Sequence, residues 1–347
     1  MITASPVAAQ YPAAEKSPRT RATPRRWQQL WREAITDPFD LLRLLRLDHL
    51  AAELLPVTDT GFAMRVPRGF AARMRAGDPL DPLLLQVLSQ AQELTDVPGF
   101  VRDAVGDAAA RSAQGVLQKY AGRALLIATG SCAVNCRYCF RRHFPYAHET
   151  AAANGWREAI AQLRADDSIN ELILSGGDPL SLSTAKLAEL SDALTDAPHL
   201  RRLRIHTRLP VVLPERVDEE LTTWLKSLRW PVAIVLHSNH ANELDDSVAQ
   251  ACARLRATGA QLLNQSVLLK QINDSAETLI SLSERLLDCG VLPYYLHQLD
   301  PVAGTAHFAV SDAAARALVE TMRSRLSGYL VPKLVREVAG EPHKQPL

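Results

Sequence analysis

The spacing of hydrophobic positions changes near residue 121, where short apolar runs begin to alternate with longer amphipathic stretches. The short runs lie at 124–128, 171–175, 203–207, 232–237, 262–269 and 293–298. The amphipathic stretches lie at 155–165, 183–195, 214–226, 243–257, 275–288 and 311–326 and have the apolar spacing of helices. Six βα units in succession predict parallel strands joined by right-handed crossovers.

Six units are too few to close an eightfold barrel. The expected fold is therefore α/β, a six-stranded (βα)6 partial TIM barrel that is open on one side. We assign it to residues 116–328, with residues 329–347 as a C-terminal segment. In such folds the loops after the strands build the functional site, because all parallel strands end at the same edge of the sheet.

The residues before the barrel have a different pattern. Residues 1–26 are rich in Ala, Pro, Ser and Arg, and they contain one acid, Glu15. They resemble a transit peptide in part but lack the apolar core of a secretory signal, so a disordered tail is favoured. Residues 27–115 are expected to be helical, with Asp37 as the N-cap and Pro38 as the first residue of the second helix.

Net charge and hydrophobic content argue against two classes of protein, those that bind nucleic acid and those that span a membrane. The formal net charge of +1 argues against a dedicated nucleic-acid surface, and no apolar run is long enough to cross a membrane. We therefore expect a soluble protein with no nucleic-acid or membrane partner. Cys252 and Cys289 lie on apolar helical faces and are predicted to be core thiols. Together with the iron–sulfur motif described below, they suggest a reducing, cytoplasmic location.

Three cysteines cluster after the first predicted strand. Cys132, Cys136 and Cys139 have the spacing C-x3-C-x2-C. Three thiolates can hold three irons of a [4Fe-4S] cluster and leave the fourth iron open, whereas ferredoxin patterns supply a fourth cysteine. A zinc knuckle completed by His143 and a chance spacing are the alternatives. The motif, with Tyr138 before its last cysteine, resembles that of radical S-adenosylmethionine (SAM) enzymes.

A glycine pair follows the second predicted strand. Gly176 and Gly177 allow the backbone to approach a ligand closely, and the carboxylate of Asp178 can accept from an ammonium group. The alternative is a strand-to-helix turn with Asp178 as N-cap and Pro179 as the first helical residue. The segment resembles the one that contacts the amino group of SAM in radical SAM enzymes. Gln265, and less strongly His237 and Asn239, lie at strand ends and are further candidates for contact with SAM.

Four blocks of sequence together resemble the lysine 2,3-aminomutase family. They are residues 136–143, 204–214, 263–269 and 328–332, and the resemblance extends from about residue 60 to the C-terminus. Residues 139–146 and the short C-terminus most resemble the branch that makes β-lysine for elongation factor P. The resemblance implies a [4Fe-4S] cluster, SAM, pyridoxal phosphate and L-lysine, with an electron donor such as flavodoxin or ferredoxin. It also implies a functional link to elongation factor P and its lysyl ligase.

The resemblance also implies how pyridoxal phosphate is held. Lys344 takes the place of the family's cofactor lysine, although only Gly340 remains of the glycine-rich turn before it. Without the resemblance, a lysine so near the C-terminus would be expected to lie in a frayed chain end. Lys119, Tyr120 and Arg123 match the family's phosphate pocket, and cations with a phenol suit a phosphate dianion. Their alternative is a solvated charged turn.

The family's substrate contacts fall on three further residues. Arg141 matches the arginine that pairs with the substrate carboxylate, and Arg142 beside it could be mistaken for it. Asp300 and Glu337 match the two carboxylates that recognise the distal ammonium of lysine, but Glu337 is one methylene longer than the usual aspartate. Each acid could instead be a surface carboxylate at a strand end.

Two other functions are alternatives to lysine 2,3-aminomutase activity. An aminomutase for glutamate or arginine is the nearest enzyme, but a glutamate enzyme needs a cation where Asp300 and Glu337 are predicted. An iron–sulfur electron-transfer protein is the alternative from another class. An electron carrier would need neither the Gly-Gly-Asp segment nor a phosphate pocket.

Overall fold

Strands and helices alternate along most of the chain. The computed structural model describes residues 27–150 and 155–347, so the tail predicted for residues 1–26 lies outside the described residues. The strands are β1 (Arg111–Ala113), β2 (Val116–Leu117), β3 (Arg123–Thr129), β4 (Glu171–Gly176), β5 (Arg202–Thr207), β6 (Val232–Leu236), β7 (Gln261–Val267), β8 (Leu292–His297), β9 (Lys333–Arg336) and β10 (Gln345–Pro346). The α-helices are α1 (Trp27–Arg32), α2 (Pro38–Leu44), α3 (Ala51–Leu54), α4 (Arg68–Ala71), α5 (Tyr146–Glu149), α6 (Arg157–Ala165), α7 (Thr184–Ala193), α8 (Leu209–Val212), α9 (Glu219–Ser227), α10 (Asp246–Arg256), α11 (Ala276–Asp288) and α12 (Asp312–Arg325).

The described strands form one open sheet in sequence order. From β3 to β9 each strand runs parallel to the next, while β1 and β2 extend one edge and β10 the other in antiparallel pairing. The prediction of an open α/β sheet is confirmed, and all six predicted strands are present. The count of six is wrong, because β9 adds a seventh parallel strand. The sequence also predicts a strand over residues 329–335, but assigns it to the C-terminal segment rather than to the barrel sheet.

The sheet curves around an internal cavity. Along β5, Leu203 and Ile205 are buried in the hydrophobic core, whereas Arg204 and His206 line the cavity. This alternation follows from the two-residue period of a strand. Side chains from β3, β4, β5, β7, β8 and the end of β9 line the same cavity, which a flat sheet of this width would not allow.

The N-terminal residues pack against the parallel sheet. Asp37 caps α2 by accepting from the backbone N–H of Phe39, and Pro38 is the first residue of that helix, as predicted.

Cys252 and Cys289 are buried free thiols, also as predicted. In the part of the chain that the structure describes, no helix combines the length and apolarity needed to cross a membrane.

Candidate active site

With the exception of Asn239, the site residues predicted from the sequence line one cavity. Its volume is about 420 Å³, within the range of small-molecule sites. It lies where the loops after the parallel strands converge, as expected for a parallel sheet. The predicted residues on its wall are Cys132, Cys136, Cys139, Lys119, Tyr120, Arg123, Arg141, Gly176, Gly177, Asp178, Gln265, Asp300, Glu337 and Lys344. Their roles as ligands of cofactor or substrate stay predictions.

Buried contacts with the N-terminal residues hold the cysteine loop in place. The side chain of Arg137, between Cys136 and Cys139, is fully buried and donates to Glu93 and to the carbonyl oxygen of Phe62. The backbone N–H of Arg137 donates to the carbonyl oxygen of Gln86 at 2.9 Å. These bonds fix the backbone on which the cysteines stand.

The three thiols face the cavity but lie deep in the protein. Burial raises the pKa of Cys132 well above its usual range and that of Cys139 to about 11, so iron binding must release their protons. His143, the proposed fourth zinc ligand, instead places its Nε2 3.0 Å from the carbonyl oxygen of Ala303. Within residues 27–150 and 155–347, no three His, Cys, Asp or Glu side chains are arranged so that they could hold a metal ion. The contact of His143 with Ala303 argues against a zinc knuckle completed by His143.

Gly176, the last residue of β4, and Gly177 after it bring that strand close to the cysteine loop. A Cβ on Gly176 would collide with the carbonyl oxygen of Thr129, and one on Gly177 with that of Ser131. Gly176 also has a φ of +118°, which side chains strongly disfavour. The close approach is therefore to the protein's own backbone. Contact between these glycines and SAM stays a prediction.

Asp178 is an N-cap, the alternative that the sequence left open. Its buried carboxylate accepts from the backbone N–H of Leu180, and Pro179 begins the short helix that follows. It also accepts from the Thr207 hydroxyl and from the backbone N–H groups of Arg208 and Leu209. Four donors leave little room for a ligand's ammonium group, so the predicted side-chain contact with SAM is not favoured.

Lys344 is tied into the sheet rather than frayed. It precedes β10, whose residues Gln345 and Pro346 pair with β9. Its Nζ lies 2.7 Å from Oε2 of Glu337, near the ring of Tyr295. Burial opposes ionisation of Glu337, but the Lys344 ammonium, the Tyr120 hydroxyl and Lys119 together outweigh it and hold the pKa of Glu337 below its usual value. Glu337 is therefore able to bind an alkylammonium group.

Asp300, after β8, is the second acid near Lys344. Its Oδ1 is buried and has no hydrogen-bond partner among the described residues. Burial raises the pKa of Asp300 to about 7, although the Lys344 ammonium opposes this. A buried carboxylate without a partner needs a cationic ligand to ionise at low cost.

The predicted phosphate pocket contains one cation without an ion-pair partner. Arg123 stacks on the ring of Tyr120 at 4.9 Å, and no carboxylate of the described residues forms an ion pair with it. The hydroxyl of Tyr120 is buried beside Glu337 without a well-aligned hydrogen bond. Lys119 already forms ion pairs with Asp107 at 2.7 Å and Glu337 at 3.7 Å. These groups fit a phosphate dianion bound mainly by Arg123 and Tyr120.

Asp107 holds two residues of the cavity wall in place, and the sequence did not reveal it. Its buried carboxylate binds Lys119 on one oxygen and Nε of Arg141 on the other, each at 2.7 Å. Arg141 also donates to the Ser175 hydroxyl at 3.1 Å. The Nη2 end of Arg141 makes no hydrogen bond within the described ranges and remains able to bind a carboxylate. Asp107 thus fixes both cations, and nothing in its local sequence distinguishes it from a surface acid.

Arg142 and Asn239 do not line the cavity. Arg142 binds Glu93 at 2.8 Å and supports the cysteine loop from behind. The side chain of Asn239 donates to Tyr138 and Gln86 and accepts from the backbone N–H of Val267. The expectation that Asn239 contacts SAM is therefore not met by this structure, whereas Gln265 and His237 do line the cavity.

Three histidines form a neutral wall of the cavity. Burial lowers the pKa of His237 to about 4 and those of His206 and His297 well below the usual value. Nε2 of His206, Nε2 of His297 and Oε1 of Gln265 are buried and have no protein partner among the described residues. Buried polar atoms are rarely left unpaired, so these atoms indicate a ligand. The sequence signal that could have revealed His206 and His297 is a polar residue at an inward-facing position of β5 and of β8.

Known proteins resemble this chain closely. The model of a family described as a 4Fe-4S single cluster domain matches residues 121–200. A protein of Escherichia coli (strain K12) named L-lysine 2,3-aminomutase is 48% identical, and the match covers 94% of this chain and 96% of that protein. A protein of Haemophilus influenzae with the same name is 46% identical, with 92% and 94% covered. Among solved structures, a radical SAM methyltransferase from Sphaerobacter thermophilus matches with a TM-score of 0.43 and 17% identity over 64% of this chain and 68% of its own.

Proposed function

This chain belongs to the L-lysine 2,3-aminomutase family, and on that premise we propose that it is an isomerase that converts L-α-lysine to β-lysine. The observation that supports this most directly is the pair of acids, Asp300 and Glu337, beside Lys344 in the cavity that also contains the cysteine loop. One cavity thus offers ligands for a cluster, a lysine for a carbonyl cofactor and recognition of a cationic substrate.

The chain's residues fit three cofactors. Cys132, Cys136 and Cys139 would hold a [4Fe-4S] cluster, and the open curved sheet would serve as the radical SAM partial barrel. Lys344 would hold pyridoxal phosphate covalently, with Arg123 and Tyr120 at its phosphate. When bound, these groups supply an electron, a carbon radical that takes a hydrogen atom from C3 of lysine, and a π-system on the migrating nitrogen. Flavodoxin or ferredoxin would provide the electron.

The protein's own contribution is to fix both ends of the substrate. Arg141, held by Asp107, would bind the carboxylate, while Asp300 and Glu337 would bind the distal ammonium. Two anchored ends place C2 and C3 at a fixed point in the cavity, which lowers the entropic part of the barrier. The Glu337–Lys344 ion pair shows the kind of contact that the substrate's ammonium would make.

Asp300 should give the reaction a pH dependence near neutrality. Because its pKa in the ligand-free protein is raised to about 7, the carboxyl is neutral below that pH and ionised above it. Only the ionised form attracts an ammonium group strongly, so kcat/KM for lysine should rise as pH increases through neutrality. Attachment of the cofactor to Lys344 removes the ammonium that lowers the pKa of Asp300, so the step in the loaded enzyme should lie at or above 7. The three cavity histidines titrate well below this range, so they do not account for the step.

Asp300→Asn is the matching variant. The loss of a charge-assisted hydrogen bond in a buried pocket costs about 1.5–3 kcal/mol, so kcat/KM should fall at least roughly tenfold. The step near pH 7 should disappear in the variant, whereas cleavage of SAM without lysine turnover should persist. A step of the same size in wild type and variant would show that another group titrates.

A comparison of substrates separates this proposal from its rivals. Anaerobic protein with reductant, SAM and pyridoxal phosphate should convert lysine in preference to arginine or glutamate, because two acids face the side chain. An electron carrier would cleave no SAM with any of them. Faster turnover of glutamate than of lysine would reject the assigned roles of Asp300 and Glu337.

We further propose that the β-lysine serves the modification of elongation factor P through its lysyl ligase. The support is the resemblance of residues 139–146 to that branch of the family. Deletion of the gene should leave elongation factor P without the β-lysyl mass increment, and added β-lysine should restore it. An intact increment after deletion would remove this cellular role while leaving the enzymatic proposal in place.

A further inference from the structure

Arg208 reaches a cluster cysteine from the neighbouring strand. It follows β5, and its Nη1 lies 2.7 Å from Sγ of Cys136. Its side chain is 6% exposed, so water hardly screens the guanidinium from the sulfur. The binding of substrate and the attachment of pyridoxal phosphate, as proposed above, assign no part to Arg208.

A dense hydrogen-bond network fixes this guanidinium. Nη1 also donates to the Tyr138 hydroxyl at 2.7 Å, and Nη2 donates to Oε1 of Gln86 at 2.7 Å and to Oε2 of Glu243 at 2.9 Å. The backbone N–H of Arg208 donates to Asp178. With both ends of the residue anchored, the Nη1 group is held against Cys136 rather than merely able to reach it.

The charge next to Cys136 bears on the electron that the cluster must accept. Reduction adds one negative charge to a cluster, and a nearby buried cation stabilises that more negative form. Hydrogen bonds to cluster sulfurs and local charge are among the factors that set iron–sulfur reduction potentials. Glu243 acts in the opposite direction, because its carboxylate partly neutralises the guanidinium.

We propose that Arg208 is a positioning residue that holds the Cys136 thiolate and raises the reduction potential of the cluster, with Glu243 limiting the size of that effect. The inference rests on the proposed function, because it requires the three cysteines to hold the cluster. Arg208 forms and breaks no covalent bond in this role. The electron still comes from the external donor.

The test is a potentiometric titration of the reconstituted, anaerobic protein, followed by the electron paramagnetic resonance signal of the reduced cluster. Arg208→Gln keeps an amide donor but removes the charge. At a fixed solution potential its ratio of reduced to oxidised cluster should fall about tenfold, which for one electron is a midpoint about 59 mV lower. Arg208→Lys, which retains a positive charge, should recover part of the shift.

Arg73→Gln is the matched control. Arg73 lies over the ring of Phe70, as Arg208 does, and donates to the backbone carbonyl oxygen of Glu243, but no cysteine is among its partners. Its variant should keep the wild-type midpoint. Glu243→Gln should shift the midpoint the other way, to a higher value, because the charge of Arg208 is then uncompensated.

The outcomes distinguish this inference from the proposed function. A wild-type protein that assembles no cluster would reject the proposed function itself. A normal cluster in Arg208→Gln with an unchanged midpoint, or an equal shift in Arg73→Gln, would overturn the role of Arg208 alone. If Arg208→Gln holds no cluster, Glu243→Gln decides: a higher midpoint supports the role, and an unchanged midpoint overturns it.

Discussion

Cys136→Ala is expected to abolish formation of 5′-deoxyadenosine from SAM. With one of three thiolates removed, a four-iron cluster would keep only two protein ligands in this loop, too few to hold it and to leave one defined open iron. The expected loss is complete within detection rather than partial. Iron content, the visible absorption of the reconstituted protein and deoxyadenosine yield measure it together.

Cys289→Ala is the control for this substitution. Cys289 is also a free and buried cysteine, but it follows α11 in the hydrophobic core and is not on the cavity wall. Its variant should retain iron and SAM cleavage, with at most a loss of stability. Cleavage of SAM at the wild-type rate by Cys136→Ala would remove the cluster from this loop.

Lys344→Ala is expected to eliminate lysine turnover while leaving the cluster intact. The deprotonated amine of Lys344 can bind pyridoxal phosphate covalently with loss of water, and alanine has no group that replaces it. Borohydride treatment of the wild type loaded with cofactor should fix pyridoxal phosphate to the peptide containing Lys344. In the variant that labelled peptide should be absent, and the iron content should be unchanged.

Lys333→Ala provides the comparison, because Lys333 is exposed on β9, the strand that pairs with the segment after Lys344. It should be labelled and active like the wild type. Removal of residues 344–347 should reproduce the Lys344→Ala result and additionally remove β10. Cofactor found on Lys333, or on any lysine other than Lys344, would contradict the assignment.

The main elements of the fold could be predicted because they are local. The two-residue period of β5 and the capping pair Asp37-Pro38 are written in adjacent residues, and both were located correctly. The elements that were missed, β1, β2 and β10, have only two or three residues each. Strands this short have no periodicity of their own and exist because neighbouring strands pair with them.

Site residues could be predicted where reactive or charged side chains lie at the ends of parallel strands. Residues whose role depends on a contact with a distant part of the sequence were missed. Cysteines, glycines and acids that follow parallel strands must meet at one edge, and they do. Asp107 contacts Arg141 across 34 residues, and Arg208 contacts Cys136 across 72. In the sequence Asp107 and Arg208 look like ordinary charged residues. Their roles appear only in the structure, where Asp107 is buried against Arg141 and Arg208 is buried against the thiol of Cys136.

The central claim is that this cavity moves nitrogen from C2 to C3 of lysine, and one labelling measurement tests it most directly. The anaerobic protein, with reductant, SAM and pyridoxal phosphate, would be incubated with L-lysine carrying ¹⁵N at the α-amino group, and the products would be analysed by mass spectrometry. We predict β-lysine that retains the label on C3, formed by wild type and not by Lys344→Ala. Deoxyadenosine without β-lysine, or β-lysine that has lost the label to ammonia, would contradict it.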